Sequence, residues 1–280
     1  MTRVLLTVDT ALSWASHARG ERWQQNLSRS FLPSRLDLLR DHGLKACFFV
    51  DPMPALVYGI EPIRRLVAPI LAAGQDVQLL LHPVWQSVAE GVAEGARFEL
   101  TCFDAEDQLD LIETARDLLV EAGAPPPVAF RSGGYSADVR TLAALLQAGL
   151  RFDSSHRPGT SALPLEPDLA GPADLGGVVE LPVALHLAAA ADEEIEALLD
   201  ARPELVTLAV GSEPDGCDGR FERLCALLAG RAQALPTIHL ADLEPLPAAA
   251  ASLALSPPAW RRTRLMAEQA WPNALYRQSL

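Results

Sequence analysis

The sequence has few cysteines, a single lysine and no strongly basic segment. Its four cysteines are Cys47, Cys102, Cys217 and Cys225. They form no CxxC pair and no zinc-finger spacing with histidine, so we interpret them as buried reduced thiols. The formal net charge is −13, and Lys45 is the only lysine. Nucleic acid and anionic membrane surfaces both require a basic face, so we expect neither partner.

The sequence also lacks a hydrophobic run long enough to cross a bilayer. Residues 248–255 are mostly apolar but too short for that purpose. The N-terminus enters an apolar run at once, without the basic segment and cleavage site of a secretion signal. No internal repeat of fixed period is visible. With 49% hydrophobic and 21% charged residues, the composition is typical of a soluble globular protein, and we predict a cytoplasmic location.

Short aliphatic runs alternate with helical patterns along most of the 280 residues. The first run, RVLLTVDTALSW at residues 3–14, is almost continuously apolar up to Asp9. Such a run is typical of a strand covered on both faces. Similar runs recur before helical segments and predict about seven or eight β/α units, among them a helix at 136–148 and a last strand at 236–240. This alternation predicts a parallel sheet closed into a barrel over residues 1–243. Residues 244–280 are predicted to be a tail, in which 266–276 could form a docked helix.

Polar side chains stand at several predicted strand ends. Because the loops at the carboxyl edge of parallel strands are free to vary, reactive groups collect at that edge. Asp9 could alternatively only cap a turn, and a lone His82 could be a structural residue with a hydrogen bond. The full set is Asp9, His82 in LLLHPVW, Arg131 and Tyr135 in FRSGGY, and Asp153 in RFDSS.

Taken together, these stretches resemble the polysaccharide deacetylase family, which shares the NodB homology domain, over about residues 3–210. TVDTALSW, DVQLLLHPVW and FRSGGY are similar to a bacterial subgroup associated with surface-polysaccharide and O-antigen gene clusters. The resemblance implies a distorted (β/α)7–8 barrel of the NodB-like type. It also implies metal-dependent hydrolysis of an N-acetyl or O-acetyl group on a sugar. In that chemistry a divalent ion polarises the carbonyl and activates water, while protein groups move the protons.

By position, the resemblance implies catalytic roles for three of these residues. Asp9 matches the general base, Arg131 matches the arginine that orients this base, and His82 matches a metal ligand. Arg131 could alternatively be only a buried partner of Asp9, and we expect the two side chains to face each other at the rim of the strands.

Four further residues are predicted to contact the substrate. Tyr135 lies in the substrate-groove motif, and we place Asp153 on the substrate side as well. Trp14 and Trp85 each follow a strand end, where an aromatic ring could stack on a sugar or pack into the core or the rim.

Three positions depart from the pattern of the family. Ala11 stands where the resemblance predicts an acid, Leu80 where it predicts the first histidine of a HisXHis motif, and Gly211 where it predicts a catalytic-acid histidine. Catalytic zinc sites use three protein ligands, so His82 alone does not complete one. Four residues near predicted strand ends could substitute, namely His17, Asp51, Asp153 and His156. The default interpretation of His42, His156, His186 and His239 is that they are solvated or core residues.

Three hypotheses follow. The leading one is a polysaccharide-deacetylase-like protein of bacterial surface-polysaccharide metabolism with a degraded metal site, which needs no cofactor and binds a glycan or a partner protein. The second is an active carbohydrate deacetylase with rearranged ligands and a divalent metal such as Zn²⁺. The third is a non-catalytic structural subunit. The sequence leaves open whether catalysis survives. The predicted partners are a glycan or acetylated sugar and, for the first and third hypotheses, a protein.

Overall fold

A computed structural model describes residues 2–11, 31–92, 97–157, 163, 171–211, 219–243 and 249–250. In this part of the chain the strands are β1 (Arg3–Thr10), β2 (Cys47–Val50), β3 (Asp76–Leu81), β4 (Ala129–Ser132), β5 (Phe152–Asp153), β6 (Ala173–Asp174), β7 (Val179–Glu180), β8 (Val183–His186), β9 (Leu205–Val210) and β10 (Ala249–Ala250). The helices are α1 (Leu32–Asp41), α2 (Ala55–Tyr58), α3 (Glu61–Ala72), α4 (Val84–Ala89), α5 (Ala105–Glu121), α6 (Val139–Gln147), α7 (Asp192–Asp200) and α8 (Arg220–Gly230).

The strands form one sheet in the order β10-β6-β7-β5-β4-β3-β2-β1-β9-β8. Neighbouring strands are parallel except for β6 and β7, which are antiparallel. The sheet curls into a half-barrel with helices packed against it, which is the architecture of a distorted (β/α)7–8 barrel. The predicted fold class is therefore confirmed.

Both faces of the central strands are buried, as their continuous apolar runs predicted. Alternate residues of a strand point to opposite faces. On β1, Val4, Leu6 and Val8 join the large core between the sheet and the helices. Leu5 instead joins a smaller cluster inside the barrel, in which Leu80 also lies. Full burial of such a side chain contributes roughly 1.5–3 kcal/mol, and the inner cluster supports the polar groups above it.

Two aspartates cap the N-termini of helices that pack on the sheet. Asp104 caps α5 by accepting hydrogen bonds from the backbone N–H groups of residues 106 and 107. Asp138 caps α6 in a capping box with Thr141. α6 therefore begins at Val139, three residues later than the predicted helix at 136–148.

The structure differs from the sequence-based elements in several places. β8 and α4 were not predicted. The strand predicted at 236–240 is wrong, because Thr237 makes only an isolated bridge to Val4 and the chain then turns. β10 pairs with β6, whereas the helix predicted at 266–276 lies outside the described residues. No helix in the described ranges is long and apolar enough to span a membrane.

Candidate functional site

An ion pair lies at the carboxyl ends of β1 and β4. The Nη1 atom of Arg131 donates to Oδ1 of Asp9 over 2.6 Å. Arg131 is 1% exposed and Asp9 is 17% exposed at the side chain. The predicted contact between the two residues is confirmed, whereas their catalytic roles remain predictions.

The guanidinium of Arg131 is held on several sides. Nε donates to the carbonyl of Ser154 over 3.1 Å, Nη2 donates to its hydroxyl over 2.8 Å, and Nη1 donates to Oγ1 of Thr7 over 3.0 Å. Its central carbon lies 4.2 Å from the ring centroid of Phe49. A guanidinium fixed by this many contacts can hold Asp9 in one orientation at little entropic cost.

His82 follows β3 and lies beside a second carboxylate. Its Nδ1 atom is 3.1 Å from Oδ2 of Asp51, at the end of β2. A Cβ atom on Gly133 would come within 2.3 Å of the His82 ring, so only glycine allows this packing. With Nδ1 as the donor, Nε2 carries the free lone pair, and carboxylates orient metal-binding histidines in the same way. Sequence reasoning named Asp51 as a possible substitute ligand but did not predict this pairing.

Two positions at which the resemblance predicted metal ligands, Ala11 and Leu80, carry no donor atom for a metal ion. Leu80 is buried in the inner cluster at 2% exposure, and Ala11 packs against that cluster. Within the described ranges, no group of three or more His, Cys, Asp or Glu side chains could hold a metal ion. His17 lies outside those ranges. The described residues therefore do not fit the three-ligand centre of hydrolytic zinc enzymes.

The aromatic candidates have different environments. Trp85 is 1% exposed and lies edge-on to Tyr58, with ring centroids 6.0 Å apart. This environment matches the alternative of core packing, since the first turn of α4 places the ring in the large core. Tyr135 lies near the ion pair, with a positive φ of 60° and its ring centroid 6.0 Å from the Arg131 guanidinium carbon. Trp14 lies outside the described residues.

Two carboxyl groups are buried close to the site, where β5 pairs with β7. Asp153 and Glu180 are both 0% exposed, and a contact of Asp153 with substrate stays a prediction. Burial raises the pKa of Asp153 to about 6. Burial and the neighbouring Asp153 raise the pKa of Glu180 well above its ordinary value. Ser155 donates to Asp153, and the backbone of His156 donates to Glu180. Burial thus favours the protonated, uncharged form of both acids.

One site residue was missed by sequence reasoning. His186 ends β8 and lies beside Gly211, where the resemblance predicted a histidine. The default interpretation of His186 as a solvated or core residue did not place it near Asp9. The sequence did contain a signal for a second histidine at a strand end. VALH, which ends at His186, is an apolar run followed by histidine, as is LLLH, which ends at His82.

Comparison with known proteins supports the fold. No protein-family model and no curated sequence matches the chain. A candidate polysaccharide deacetylase from Mycobacterium smegmatis is 18% identical, with a TM-score of 0.52 over 87% of this chain and 94% of that one. A mutant of a CE4 family pseudoenzyme with restored enzymatic activity is 12% identical, with a TM-score of 0.51 over 86% and 66%. A 4-alpha-glucanotransferase from Thermococcus litoralis is 13% identical, with a TM-score of 0.54 over 86% and 38%.

The chain therefore has the fold of the polysaccharide deacetylases. The same fold is similar to that of a glucanotransferase, so the fold does not by itself assign a reaction. The assignment of function depends on the side chains at the rim.

Proposed function

We propose that this protein binds glycans in bacterial surface-polysaccharide metabolism through a deacetylase-like site that lacks a working catalytic metal centre. The observation that carries this proposal is the combination of a retained ion pair with missing ligands. Arg131 still fixes Asp9 at the rim, whereas Ala11 and Leu80 offer no donor atom to a cation. A groove can keep its shape and hydrogen-bonding groups without the ion that activates water.

The ligand class follows from the fold and from the groups at the rim. One structure with this fold is described as a candidate polysaccharide deacetylase, which supports an acetylated sugar as the ligand. The negative charge of Asp9 is balanced by Arg131, and a neutral polyhydroxylated ligand suits such a site. We also propose that the protein acts in the cytoplasm.

One observation favours the alternative of an active deacetylase with rearranged ligands. The pairing of His82 with Asp51 resembles the carboxylate–histidine pair of metal sites. In that case the residues of this chain would contribute His82 as a ligand and Asp9 as the proton acceptor, and a divalent metal would supply a Lewis acid.

Metal analysis and glycan binding test the proposal together. Protein purified without chelator should contain well under one equivalent of Zn²⁺, Ni²⁺ or Co²⁺ by plasma emission. It should also bind a tetramer of N-acetylglucosamine in calorimetric titration without releasing acetate. One tightly held equivalent of metal together with acetate release would overturn the proposal in favour of the active enzyme. Absence of glycan binding would overturn it as well.

A further inference from the structure

His186 and Asp9 lie on either side of Gly211. The strand order β1-β9-β8 places β9 between the strands that carry the two polar residues. Val8 is in register with Val210, so Asp9 and Gly211 follow at the same level. His186 ends β8 and is in register with Ala209. Since neighbouring strands are about 4.8 Å apart, two strand spacings leave a gap of roughly 10 Å between the two backbones.

The ring of His186 reaches into the space that a side chain at 211 would occupy. A Cβ atom on Gly211 would lie 3.3 Å from Cε1 and 3.5 Å from Nε2 of His186. The backbone of Gly211 is also fixed, because Nη1 of the buried Arg35 donates to its carbonyl over 2.7 Å. The imidazole from β8 thus stands where the resemblance predicted a histidine on β9.

The hydrogen bonds of His186 define what its ring can offer. The backbone N–H of Ala188 donates to Nδ1 over 3.3 Å, so in the neutral ring Nε2 carries the proton. Within the described ranges Nε2 has no hydrogen-bond partner. Burial lowers the pKa of His186, while the charges of Asp9, Arg157 and Arg131 also act on it. The ring therefore presents a neutral N–H donor to the space above Gly211.

The hydroxyl of Tyr135 is a second hydrogen-bond donor close to Asp9 and Arg131. The hydroxyl of Tyr135 is buried and has no hydrogen-bond partner within the described ranges. Burial raises the pKa of Tyr135 to about 12, with Asp9 adding to the rise, so the hydroxyl keeps its proton. A buried hydroxyl without a hydrogen-bond partner is unfavourable, and a bound ligand that accepts from it would remove this penalty.

We propose that His186 is a ligand-contact residue of this site, donating its Nε2–H to an oxygen of a sugar bound between Asp9 and the ring. This inference rests on the proposed glycan-binding function. Asp9 accepts a hydrogen bond from the ligand, whereas His186 and Tyr135 donate to it. A sugar substituent with both donor and acceptor atoms satisfies all three groups, and Gly211 keeps the space between them open.

Calorimetric titration with the N-acetylglucosamine tetramer tests this role. His186→Ala should weaken binding about 3–10-fold, the equivalent of one hydrogen bond. His186→Gln, which keeps an N–H donor, should recover part of the affinity. His42→Ala is the matched control, because His42 follows α1, and it should bind like the wild type. Circular dichroism checks that each variant is folded.

The outcomes separate this inference from the proposed function. Wild-type protein that does not bind the tetramer overturns the proposed function and the inference with it. Binding that His186→Ala leaves unchanged overturns the inference alone. If the His186 variants do not fold, the wild type still tests the inference by NMR. The ¹⁵N resonance of His186 Nε2 should shift when the tetramer is added. An unchanged resonance would overturn the assignment.

Discussion

Replacement of Arg131 by methionine tests the ion pair at the centre of the site. Methionine keeps much of the length of the side chain but has no donor. The substitution removes the hydrogen bonds to Asp9, Thr7 and Ser154 and the contact of the guanidinium with Phe49. The carboxylate of Asp9 is then left without its partner.

The expected loss follows from the burial of both groups. Loss of one partner from a buried ion pair costs about 3–5 kcal/mol. Asp9 is 17% exposed, so in the variant water can partly hydrate its unpaired charge. The destabilisation is therefore expected near the lower end of that range. The carbonyl of Ser154 also loses a donor, which adds about 1 kcal/mol. We expect Arg131→Met to lower the free energy of unfolding by about 4 kcal/mol, a large part of the ~5–15 kcal/mol typical of a domain.

Equilibrium unfolding in urea measures this loss. Arg64→Met is the control, because Arg64 is 45% exposed in its ion pair with Glu61 and its loss should cost less than about 1 kcal/mol. Asp9→Asn combined with Arg131→Met should be less destabilised than the sum of the single variants, since the amide leaves no unpaired charge. A cost for Arg131→Met no greater than that of Arg64→Met would refute the reasoning.

The remaining predictions concern the buried acids and the missing ligands. The folded state holds protons on Asp153 and Glu180 that the unfolded chain releases near their ordinary pKa values of 3.8 and 4.5, and the folded pKa of Asp153 is about 6. The folded state therefore binds more protons than the unfolded chain in this pH range. The contribution of the two acids to the free energy of unfolding is fully present below about pH 4 and is lost as the pH rises through their pKa values in the folded protein. Urea unfolding should show Glu180→Gln becoming more stable relative to wild type between pH 4.5 and 8, and a constant difference would contradict this. Ala11→Glu with Leu80→His should create a Zn²⁺ site with His82, since a carboxylate and two imidazoles form a hydrolytic ligand set. Calorimetry should show Zn²⁺ binding that disappears when His82→Ala is added, and no binding would show that these positions do not converge.

Much of the barrel could be predicted from the sequence. The continuous aliphatic runs of β1, β2, β3 and β9 reflect burial on both faces, which requires helices over a parallel sheet. The contact of Asp9 with Arg131 was implied by the family resemblance, and the structure places both residues at the same edge of the sheet. For the barrel, the period of the strands and the direction of the chain determine the result.

The sequence was least informative where a strand end does not determine the direction of a side chain. Trp85 follows Pro83 directly into α4, and only the packing of that helix decides that the ring is buried. Asp153 ends β5 and is in register with Glu180 of β7, on the face opposite to Phe152 of the inner cluster. His186 belongs to a strand of four residues after Pro182, too short for a clear period. Its place beside Gly211 depends on the order of strands in the sheet, which is a property of the tertiary structure.

The backbone of Tyr135 has an unfavourable conformation, whereas its ring lies beside Arg131 in the site. Its φ of 60° lies in the left-handed region, where an L-residue loses roughly 1–2 kcal/mol that glycine would not. Glycine at 135 would relax this turn but would remove the ring beside Arg131. Selection for heat resistance alone would therefore favour loss of the ring, and a thermostable form of this protein could keep its barrel while altering its site.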